Sequence, residues 1–368
     1  MLAGSFWRGR RVLLTGHTGF KGSWLTLWLL RLGAEVWGYS LPPEPGDGLF
    51  TALDLSSHVP LGNGGQLRQR FGDVLDLETL REQVVEAQPT IVLHLAAQPL
   101  VRRSYQDPLS TWATNVLGSM HVMEALRPLR QPCAVVMVTT DKVYENREWV
   151  HGYREPDPLG GHDPYSASKA AAELAIASWR ASFCGTAAHQ TPQPRIATAR
   201  AGNVIGGGDW AAERIVPDAM RALAAGQPIP LRHPDATRPW QHVLDPLGGY
   251  LRLAEALARD PDPPCEAFNF GPPLASNRPV RELVDTILRH WPGEWVDQSE
   301  PGAPHEAGLL HLQIDKARHR LGWQPRWDFA TTVARTVGWY RSLHEGGSAM
   351  ACCLADLEAF EETGDHAS

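Results

Sequence analysis

Short β-branched or aliphatic runs alternate with helical patterns through the first half of this 368-residue chain. Parallel strands joined by crossover helices give this alternation, so it predicts an α/β fold with a doubly wound parallel sheet. The predicted strands are Arg11–Thr15, Glu35–Tyr39, Gln69–Asp73, Ile91–Leu95, Val135–Thr139 and Ile196–Arg200. The predicted helices are Gly19–Leu32, Leu77–Ala87, Pro108–Leu126 and Tyr165–Phe183. Right-handed crossovers place the carboxyl ends of these strands along one ligand-binding edge.

The alternation fades after Gly202, where Pro- and Gly-rich loops separate shorter elements. Helices are predicted there near Ile215–Ala225 and Val280–His290. We therefore expect a smaller C-terminal α/β lobe that binds substrate, with some interleaving of the chain between the two lobes. The expected parts are a first domain at 1–201, a second lobe at 202–345, a weakly patterned tail of unknown role at 346–368, and a long irregular loop at 41–66.

Composition narrows the class of protein. The net charge of −7 and the lack of a Lys/Arg-rich run argue against a nucleic-acid partner, so any phosphate site must be local. No apolar run is long enough to span a bilayer and the start lacks a signal-peptide core, so we expect a cytoplasmic protein without a membrane partner. The five cysteines lack CxxC spacing and the histidines lack HxH or HExxH spacing, so neither disulfides nor a bound metal is predicted.

Three glycines lie between the first predicted strand and helix, in the segment VLLTGHTGFKGSWL. Gly16, Gly19 and Gly22 have GxxGxxG spacing. The first permits a tight turn, the second permits close approach of the backbone to a pyrophosphate, and the third permits packing of the helix against the strand. The N–H groups at the helix start then face the phosphates. This context predicts a dinucleotide site rather than an ordinary Gly-rich turn.

The ends of the next two strands bear on which dinucleotide binds. The second strand ends in Tyr39 and Ser40, where an acidic residue commonly binds the ribose hydroxyls of the cofactor. No arginine stands there for a 2′-phosphate, which favours NAD over NADP. Asp73, at the end of the third predicted strand, is expected either to accept from the adenine amino group or to cap the following helix.

Tyr165 and Lys169, in PYSASKA, are the strongest chemical signal in the chain. Their spacing of four places both on one face of the predicted helix. A tyrosine with a pKa of about 10 acts as a base at neutral pH only if cations stabilise its phenolate, as a neighbouring ammonium and a nicotinamide ring do. Such a pair alone is more often an inert surface pair, but here the segments HLAAQ and VVMVTT end at the same edge of the sheet.

The segments TGHTGFKG, HLAAQ, TTDKVYEN, YSASKA and RAGNVIGGGDW together resemble the extended short-chain dehydrogenase/reductase family over nearly the whole chain. The resemblance implies a Rossmann-type NAD-binding domain. Within that family, Asp141-Lys142 together with GNVIGGGDWAAERIVPD is most similar to the enzymes that dehydrate CDP-glucose. Related dTDP-glucose and GDP-mannose enzymes carry Asp-Glu or an equivalent acid there. The implied activity is NAD-dependent 4,6-dehydration of CDP-glucose or a related NDP-hexose, a hydro-lyase reaction of deoxysugar biosynthesis.

The resemblance also implies an internal redox cycle with a role for each residue. Tyr165 removes the C4 hydroxyl proton while a hydride passes to NAD, water is lost from C5 and C6, and the hydride returns to C6 as C5 is reprotonated. Thr140 donates to the C4 oxygen, protonated Asp141 donates to the leaving C6 hydroxyl, and neutral Lys142 takes the C5 proton. The alternative for Asp141-Lys142 is an exposed turn pair.

The remaining expected site residues surround this centre. Asn203, Arg214 and Arg238 are expected to bind the sugar nucleotide, although surface salt bridges are the alternative for the two arginines. Asn115 resembles the asparagine that in this family braces the active-site backbone. The residues expected at the cofactor site are Gly16, Thr18, Gly19, Phe20, Lys21, Gly22, Ser40, Asp73, Val74, Leu95, Ala96, Ala97, Tyr165 and Lys169.

Two other classes of function stay open. An NAD-dependent sugar-nucleotide 4-epimerase shares Tyr165 and Lys169 but needs no acid and base for C5 and C6, so Asp141-Lys142 discriminates against it. A silent dinucleotide-binding regulator or scaffold would tolerate loss of the Tyr/Lys pair. The residues do not fix the nucleobase, and CDP rests on the resemblance. We also expect a homodimer or higher homo-oligomer, formed through the two long predicted helices.

Overall fold

The structure, a computed structural model, describes residues 4–44, 46, 48–55, 63–184, 194–299 and 309–363. Its strands are β1 (Arg11–Thr15), β2 (Glu35–Ser40), β3 (Gln66–Phe71), β4 (Ile91–His94), β5 (Ala134–Val138), β6 (Arg195–Ala201), β7 (Val204–Ile205), β8 (Ile229–Leu231), β9 (Thr237–Pro239), β10 (Gln241–His242), β11 (Ala267–Phe270), β12 (Asn277–Pro279) and β13 (Trp295–Asp297). Its helices are α1 (Gly4–Trp7), α2 (Phe20–Arg31), α3 (Leu49–Ala52), α4 (Leu77–Ala87), α5 (Val101–Gln106), α6 (Pro108–Trp112), α7 (Gly118–Leu126), α8 (Pro164–Phe183), α9 (Ile215–Ala224), α10 (Leu244–Arg259), α11 (Val280–His290), α12 (Asp315–Leu321), α13 (Phe329–His344) and α14 (Ala349–Thr363). A π-helical turn spans Ala113–Leu117, and short 3-10 helices span Asp141–Val143 and Leu274–Ser276.

A seven-stranded parallel sheet with the order β11-β6-β5-β4-β1-β2-β3 forms the centre of the molecule. Strands β4 and β5 are buried at every residue, as expected where helices cover both faces of a parallel sheet. One face packs against α4, α7 and α8, and the other against α2 and α10. The strand order reverses between β1 and β4, which makes the carboxyl edge at this point the expected ligand crevice.

The structure confirms the doubly wound parallel sheet, and each predicted strand has a counterpart in it. The prediction of a strand at Gln69–Asp73 was displaced, because β3 covers Gln66–Phe71. This edge strand alternates partly buried and exposed side chains, so no apolar run marked its start. The single helix predicted at Pro108–Leu126 contains the π-helical turn, whose wider loop carries Asn115 toward the sheet edge.

Residues after 201 contribute both to the central sheet and to its cover. Strand β11 pairs with β6, and α10 packs against β5 and β6, so the two parts of the chain interleave. The tail pattern predicted no element, yet α14 lies there with Leu357 and Phe360 buried against the core. The interval 41–66 likewise contains α3, with buried Leu49 and Phe50, while residues 45, 47 and 56–62 of that loop lie outside the described residues. No helix in the described part of the chain has the length and apolar character needed to cross a bilayer.

Candidate active site

The glycine turn between β1 and α2 has the shape that a pyrophosphate requires. Gly16 has φ of 74°, and a Cβ there would approach the Ala96 backbone nitrogen to 2.7 Å. A Cβ at Gly22 would overlap the Gly16 carbonyl oxygen. Helix α2 begins at Phe20, and its N-cap residue Gly19 provides no side-chain cap. The first N–H groups of the helix are therefore available to an anion, which fits the diphosphate of a dinucleotide.

Neutral groups surround the end of β2. The Ser40 hydroxyl lies 3.0 Å from the Thr18 hydroxyl and 2.9 Å from His17 Nδ1. Burial lowers the pKa of His17 to about 4, so this imidazole is neutral at physiological pH. The hydrogen-bond partners of Ser40 therefore offer no positive charge to a 2′-phosphate. His17 was not singled out from the sequence, because a lone histidine carries no motif.

The segment after β3 excludes one of the two roles expected for Asp73. The capping alternative for Asp73 is wrong, because Asp76 caps α4 by accepting from the Thr79 backbone N–H at 3.1 Å. The exposed Asp73 carboxylate instead accepts from the Leu75 backbone N–H at 2.9 Å. Val74 between them is buried. An adenine contact of Asp73 stays a prediction.

The segment after β4 lies directly against the glycine turn. The Ala96 backbone N–H donates to the Thr15 hydroxyl at 3.3 Å, and Leu95, Ala96 and Ala97 are all partly buried. Beneath them, His94 lies 2.7 Å from the Thr15 hydroxyl through Nδ1 and 3.1 Å from the Ser119 hydroxyl through Nε2. Burial lowers the pKa of His94 to about 3. This histidine is therefore neutral, and its two hydrogen bonds connect β1 to α7 at the edge of the sheet.

Helix α8 brings Tyr165 and Lys169 together in the interior. Both are more than nine-tenths buried, and the Lys169 ammonium lies 3.5 Å from the Val138 carbonyl oxygen at the end of β5. Burial raises the pKa of Tyr165 to about 12 and lowers that of Lys169 to about 8. Bringing the tyrosine pKa to neutrality requires about 7 kcal/mol of differential stabilisation. The Arg214 charge already acts in this direction, and a protonated Lys169 and the positive charge of a bound nicotinamide ring would add to it.

The segment after β5 places an acid beside this pair. Thr140 begins the 3-10 helix Asp141–Val143, donates to Asp141 Oδ1 at 3.1 Å and is hydrogen-bonded to Tyr165. Asp141 is 1% exposed, so it is not part of an exposed turn pair, and Lys142 is partly buried. Burial raises the pKa of Asp141, although the Lys142 charge and the Thr140 hydrogen bond oppose the shift. Asp141 Oδ2 has no hydrogen-bond partner among the described residues and lies against Gly202.

Asn115 connects two parts of the site. Its amide accepts from the Gln98 backbone N–H at 2.9 Å and donates to the Gln98 carbonyl at 3.2 Å and to the Ser168 hydroxyl at 2.9 Å. Ser168 in turn donates to the Tyr165 carbonyl oxygen at 2.7 Å. Asn115 therefore ties the segment after β4 to the first turn of α8. This is the geometry that a supporting residue for the active-site backbone requires.

The predicted substrate residues converge on the same centre from the second lobe. Arg214 directly precedes α9 and pairs with Asp209 at 2.9 Å, with 35% of its side chain exposed. Arg238 lies on β9 and is 8% exposed. The Arg214 charge acts on Tyr165, and the Arg238 charge acts on Asp141. Asn203 is partly buried directly after β6.

The Lys21 side chain reaches the interior in a way that the glycine motif did not indicate. Its ammonium lies 3.3 Å from the hydroxyl of Tyr250, a fully buried residue of α10. Burial, and then the charge of Arg214, lower the pKa of Lys21 to about 8. The chain contains four lysines, and Lys21, Lys142 and Lys169 all belong to this site. Tyr250 was not predicted as a site residue, because it lies within a helix of the second lobe and belongs to none of the sequence motifs.

Metal ligands are not assembled in the described part of the chain. No group of three or more His, Cys, Asp or Glu side chains there has the arrangement of a metal site. The five cysteines are free thiols.

Comparison with known proteins gives consistent matches. The family described as GDP-mannose 4,6 dehydratase matches residues 13–260. A CDP-glucose 4,6-dehydratase of Salmonella typhimurium is 42% identical over 362 residues and covers 98% of both chains. A dTDP-glucose 4,6-dehydratase of Streptomyces antibioticus is 32% identical over 342 residues, which are 90% of this chain and 92% of that protein.

A solved structure agrees with these sequence matches. DesIV, a dTDP-glucose 4,6-dehydratase from Streptomyces venezuelae with NAD and TYD bound, has a TM-score of 0.76 at 26% identity and covers 92% of this chain and 99% of that chain. The family match spans more than half of the chain and includes the glycine turn, α8 and the segment after β5. The chain belongs to the GDP-mannose 4,6 dehydratase family of nucleotide-sugar dehydratases.

Proposed function

We propose that this protein is an NAD-dependent 4,6-dehydratase that converts CDP-glucose to CDP-4-keto-6-deoxyglucose and water. The observation that carries the proposal is the buried Asp141 carboxyl beside the Thr140/Tyr165 pair. An oxidation at C4 alone needs only the tyrosine and lysine of α8. Burial favours the protonated form of this acid, and the departure of a hydroxyl group requires a proton donor.

The residues around the glycine turn fit NAD. The uncapped start of α2 and the glycine turn suit its diphosphate, and the neutral partners of Ser40 suit a ribose without a 2′-phosphate. Bound NAD supplies a hydride acceptor for C4 and a hydride donor for C6. The dTDP-glucose 4,6-dehydratase DesIV was solved with NAD bound, which supports the same cofactor here.

The chain's own groups divide the proton transfers between them. Tyr165 takes the proton of the C4 hydroxyl, with Lys169 stabilising its phenolate, and Thr140 donates to the C4 oxygen. The resulting ketone acidifies the C5 hydrogen, and Lys142 takes that proton and returns a proton to C5 when the hydride is delivered to C6. Asp141 in its protonated form gives a proton to the departing C6 hydroxyl. Because the hydride returns to the same sugar, the reaction consumes no cofactor.

Substrate binding rests on the second lobe. Arg214 and Arg238 provide guanidinium groups for the pyrophosphate, and Asn203 stands beside the sugar. The preference for CDP is supported by the CDP-glucose 4,6-dehydratase of Salmonella typhimurium, which is 42% identical. We place the NAD site mainly in residues 1–201 and the sugar-nucleotide site mainly in residues 202–345, with interleaving through α10 and β11.

Purified protein incubated in turn with CDP-, dTDP-, UDP- and GDP-hexoses tests this function. Mass spectrometry of the products separates loss of water, which we expect with CDP-glucose, from an isomer without mass change, which a 4-epimerase would give. An isomer, or no product with any of the four nucleotides, would contradict the proposal. If water is lost only with a hexose of another nucleotide, the proposed dehydratase activity stands and the proposed nucleobase of the substrate is wrong.

A homodimer in the cytoplasm completes the proposal. Exposed apolar side chains follow the helical stretch from α6 to α7 and continue on α8: Leu109, Trp112, Leu117 and Leu174. Two copies of these helices can bury their apolar faces against each other in a four-helix seam. We expect Leu109→Lys to shift the elution of the protein in gel filtration toward the monomer. A dimer that persists in this variant would place the interface elsewhere.

A further inference from the structure

Helix α8 carries a third titratable residue, Glu173, one turn beyond Lys169. Glu173 is 3% exposed and has no part in the proton transfers described above. Its carboxylate accepts from Arg200 Nη2 at 2.8 Å, from the Thr198 hydroxyl at 2.9 Å and from the Thr139 hydroxyl at 2.5 Å. Burial alone would raise the pKa of Glu173, but Arg200 and these hydrogen bonds hold it below its usual value. The group is a buried carboxylate with three donors.

Arg200, on β6, extends this buried ion pair to a second anchor. Its Nη1 donates to the Tyr144 hydroxyl at 2.8 Å and to the Glu155 carbonyl oxygen at 3.1 Å. The guanidinium also lies over the Tyr144 ring, 5.1 Å from its centroid. The Tyr144 hydroxyl donates to Asn269 Oδ1 at 2.7 Å, and the tyrosine is fully buried. Contacts with Arg200 and Asn269 therefore fix the position of the Tyr144 side chain.

The two anchors bracket the segment 139–144, which carries the three catalytic residues after β5. Thr139 opens this catalytic segment and Tyr144 closes it, so one ion pair holds both of its ends. We propose that Glu173 and Arg200 are a positioning pair that fixes the catalytic segment against α8, so that the elimination groups and the redox groups keep one geometry. The inference rests on the proposed dehydratase function and assigns neither residue a contact with substrate.

The charge of Glu173 has a second consequence, at Lys169. Burial lowers the pKa of Lys169, and Glu173 is the charge that opposes this shift. Among the described residues, the titratable groups on other elements that are coupled to the Lys169 charge are Lys21 on α2 and His94 at the end of β4, and neither supplies a negative charge. Tyr165 faces it from its own helix. Removing the carboxylate therefore lowers the Lys169 pKa, and the ammonium that supports the tyrosinate is lost at lower pH.

The variants Glu173→Gln and Thr139→Val separate the anchoring of the catalytic segment from the effect of Glu173 on the Lys169 pKa. For Glu173→Gln we expect turnover to fall about 100-fold with little change in KM, because misplacement of catalytic groups by an ångström has that scale of effect. The alkaline limb of C4 oxidation should also move down by about one pH unit. Since Arg200 then lacks its partner, folding is checked by circular dichroism and thermal melting. Thr139→Val keeps the ion pair and removes only one anchor of the catalytic segment.

For Thr139→Val we expect about a tenfold loss of water elimination, an unchanged pH profile of C4 oxidation, and rescue by Thr139→Ser. Thr198→Val is the matched control, because it removes a hydroxyl from the same carboxylate without touching the catalytic segment. Equal losses in Thr139→Val and Thr198→Val, or a wild-type pH profile in folded Glu173→Gln, would overturn the inference. Water loss by the wild-type protein is measured in parallel. If the wild-type protein does not release water, the proposed function is wrong. If the wild-type protein releases water but the variants do not behave as expected, only the positioning role is wrong.

Discussion

Replacing Lys142 by methionine should separate the elimination of water from the oxidation at C4. Lys142 follows Asp141 in a 3-10 helix, in which successive side chains point about 120° apart because three residues make one turn. The lysine and the acid therefore leave the helix in different directions, as separate roles at C5 and C6 would require. Methionine keeps most of the length of the side chain and removes the ammonium. The change should leave the backbone of the catalytic segment intact.

The two half-reactions should respond unequally. A positioned general base contributes about 10² to 10⁴-fold, or about 3 to 5 kcal/mol, so C5 exchange and water loss should fall by this factor. Oxidation should slow only about threefold, because the charges that act most on Tyr165 are Asp141, Arg214 and Asp163. Lys142 is also the largest charge that opposes the effect of burial on Asp141. Its loss raises the Asp141 pKa further and makes that acid a weaker donor.

The assay is a single turnover with substrate deuterated at C5. Near-ultraviolet absorbance reports NADH formation, and mass spectrometry reports deuterium loss and retention of the C6 oxygen. Lys316→Met is the matched control, since Lys316 pairs with Glu266 and has no part in the proposed site. Exchange and water loss at the wild-type rate would show that Lys142 is not the C5 base. Equal slowing of both half-reactions would assign it to substrate binding instead.

Three further perturbations test the rest of the site and the fold. Tyr165→Phe should lower turnover about 100-fold or more and leave NAD binding, measured by titration, nearly unchanged; comparable turnover would remove Tyr165 from the mechanism. NAD should bind more tightly than NADP, because Ser40 has only neutral partners, and equal dissociation constants would contradict this. Asp245→Asn should raise the Tm at pH 8 and change it little at pH 4. Burial raises the pKa of Asp245 from 3.8 to about 7, so the folded state retains a proton that the unfolded state loses, and wild-type stability falls by at most about 4 kcal/mol as the pH rises from about 4 to 7. The same change in Tm from wild type to Asp245→Asn at pH 4 and at pH 8 would refute this prediction.

The sheet was predictable because its strands are buried on both faces and read as apolar runs. Strand β5 is an example, with all five residues buried. The prediction failed where this signal is weak. Edge strand β3 has mixed burial, so its position was displaced, and α14 buries a few side chains of a helix whose apolar residues follow no clear stripe. The π-helical turn at Ala113–Leu117 depends on the hydrogen bonds of Asn115, which local sequence does not reveal.

The site was predictable where spacing within one element fixes geometry. Tyr165 and Lys169 are four apart on a helix, and the glycine triplet lies between a strand and a helix. Residues that meet only through tertiary packing gave no such signal. Glu173 and Arg200 lie on different elements and belong to no spacing motif, and Tyr250 meets the site from α10.

Burial favours the uncharged form of the main reacting groups in the protein without ligands. It raises the pKa of Tyr165 to about 12, raises that of Asp141, and lowers that of Lys169 to about 8. Burial thus favours the form of Asp141 that donates a proton and disfavours the form of Tyr165 that accepts one. The positive charge of a bound nicotinamide ring would shift that balance toward the phenolate, because it would add a cation to a site from which water is excluded. Burial therefore disfavours the tyrosine base in the protein without ligands, and bound NAD would promote removal of the C4 proton even though the overall reaction does not consume it.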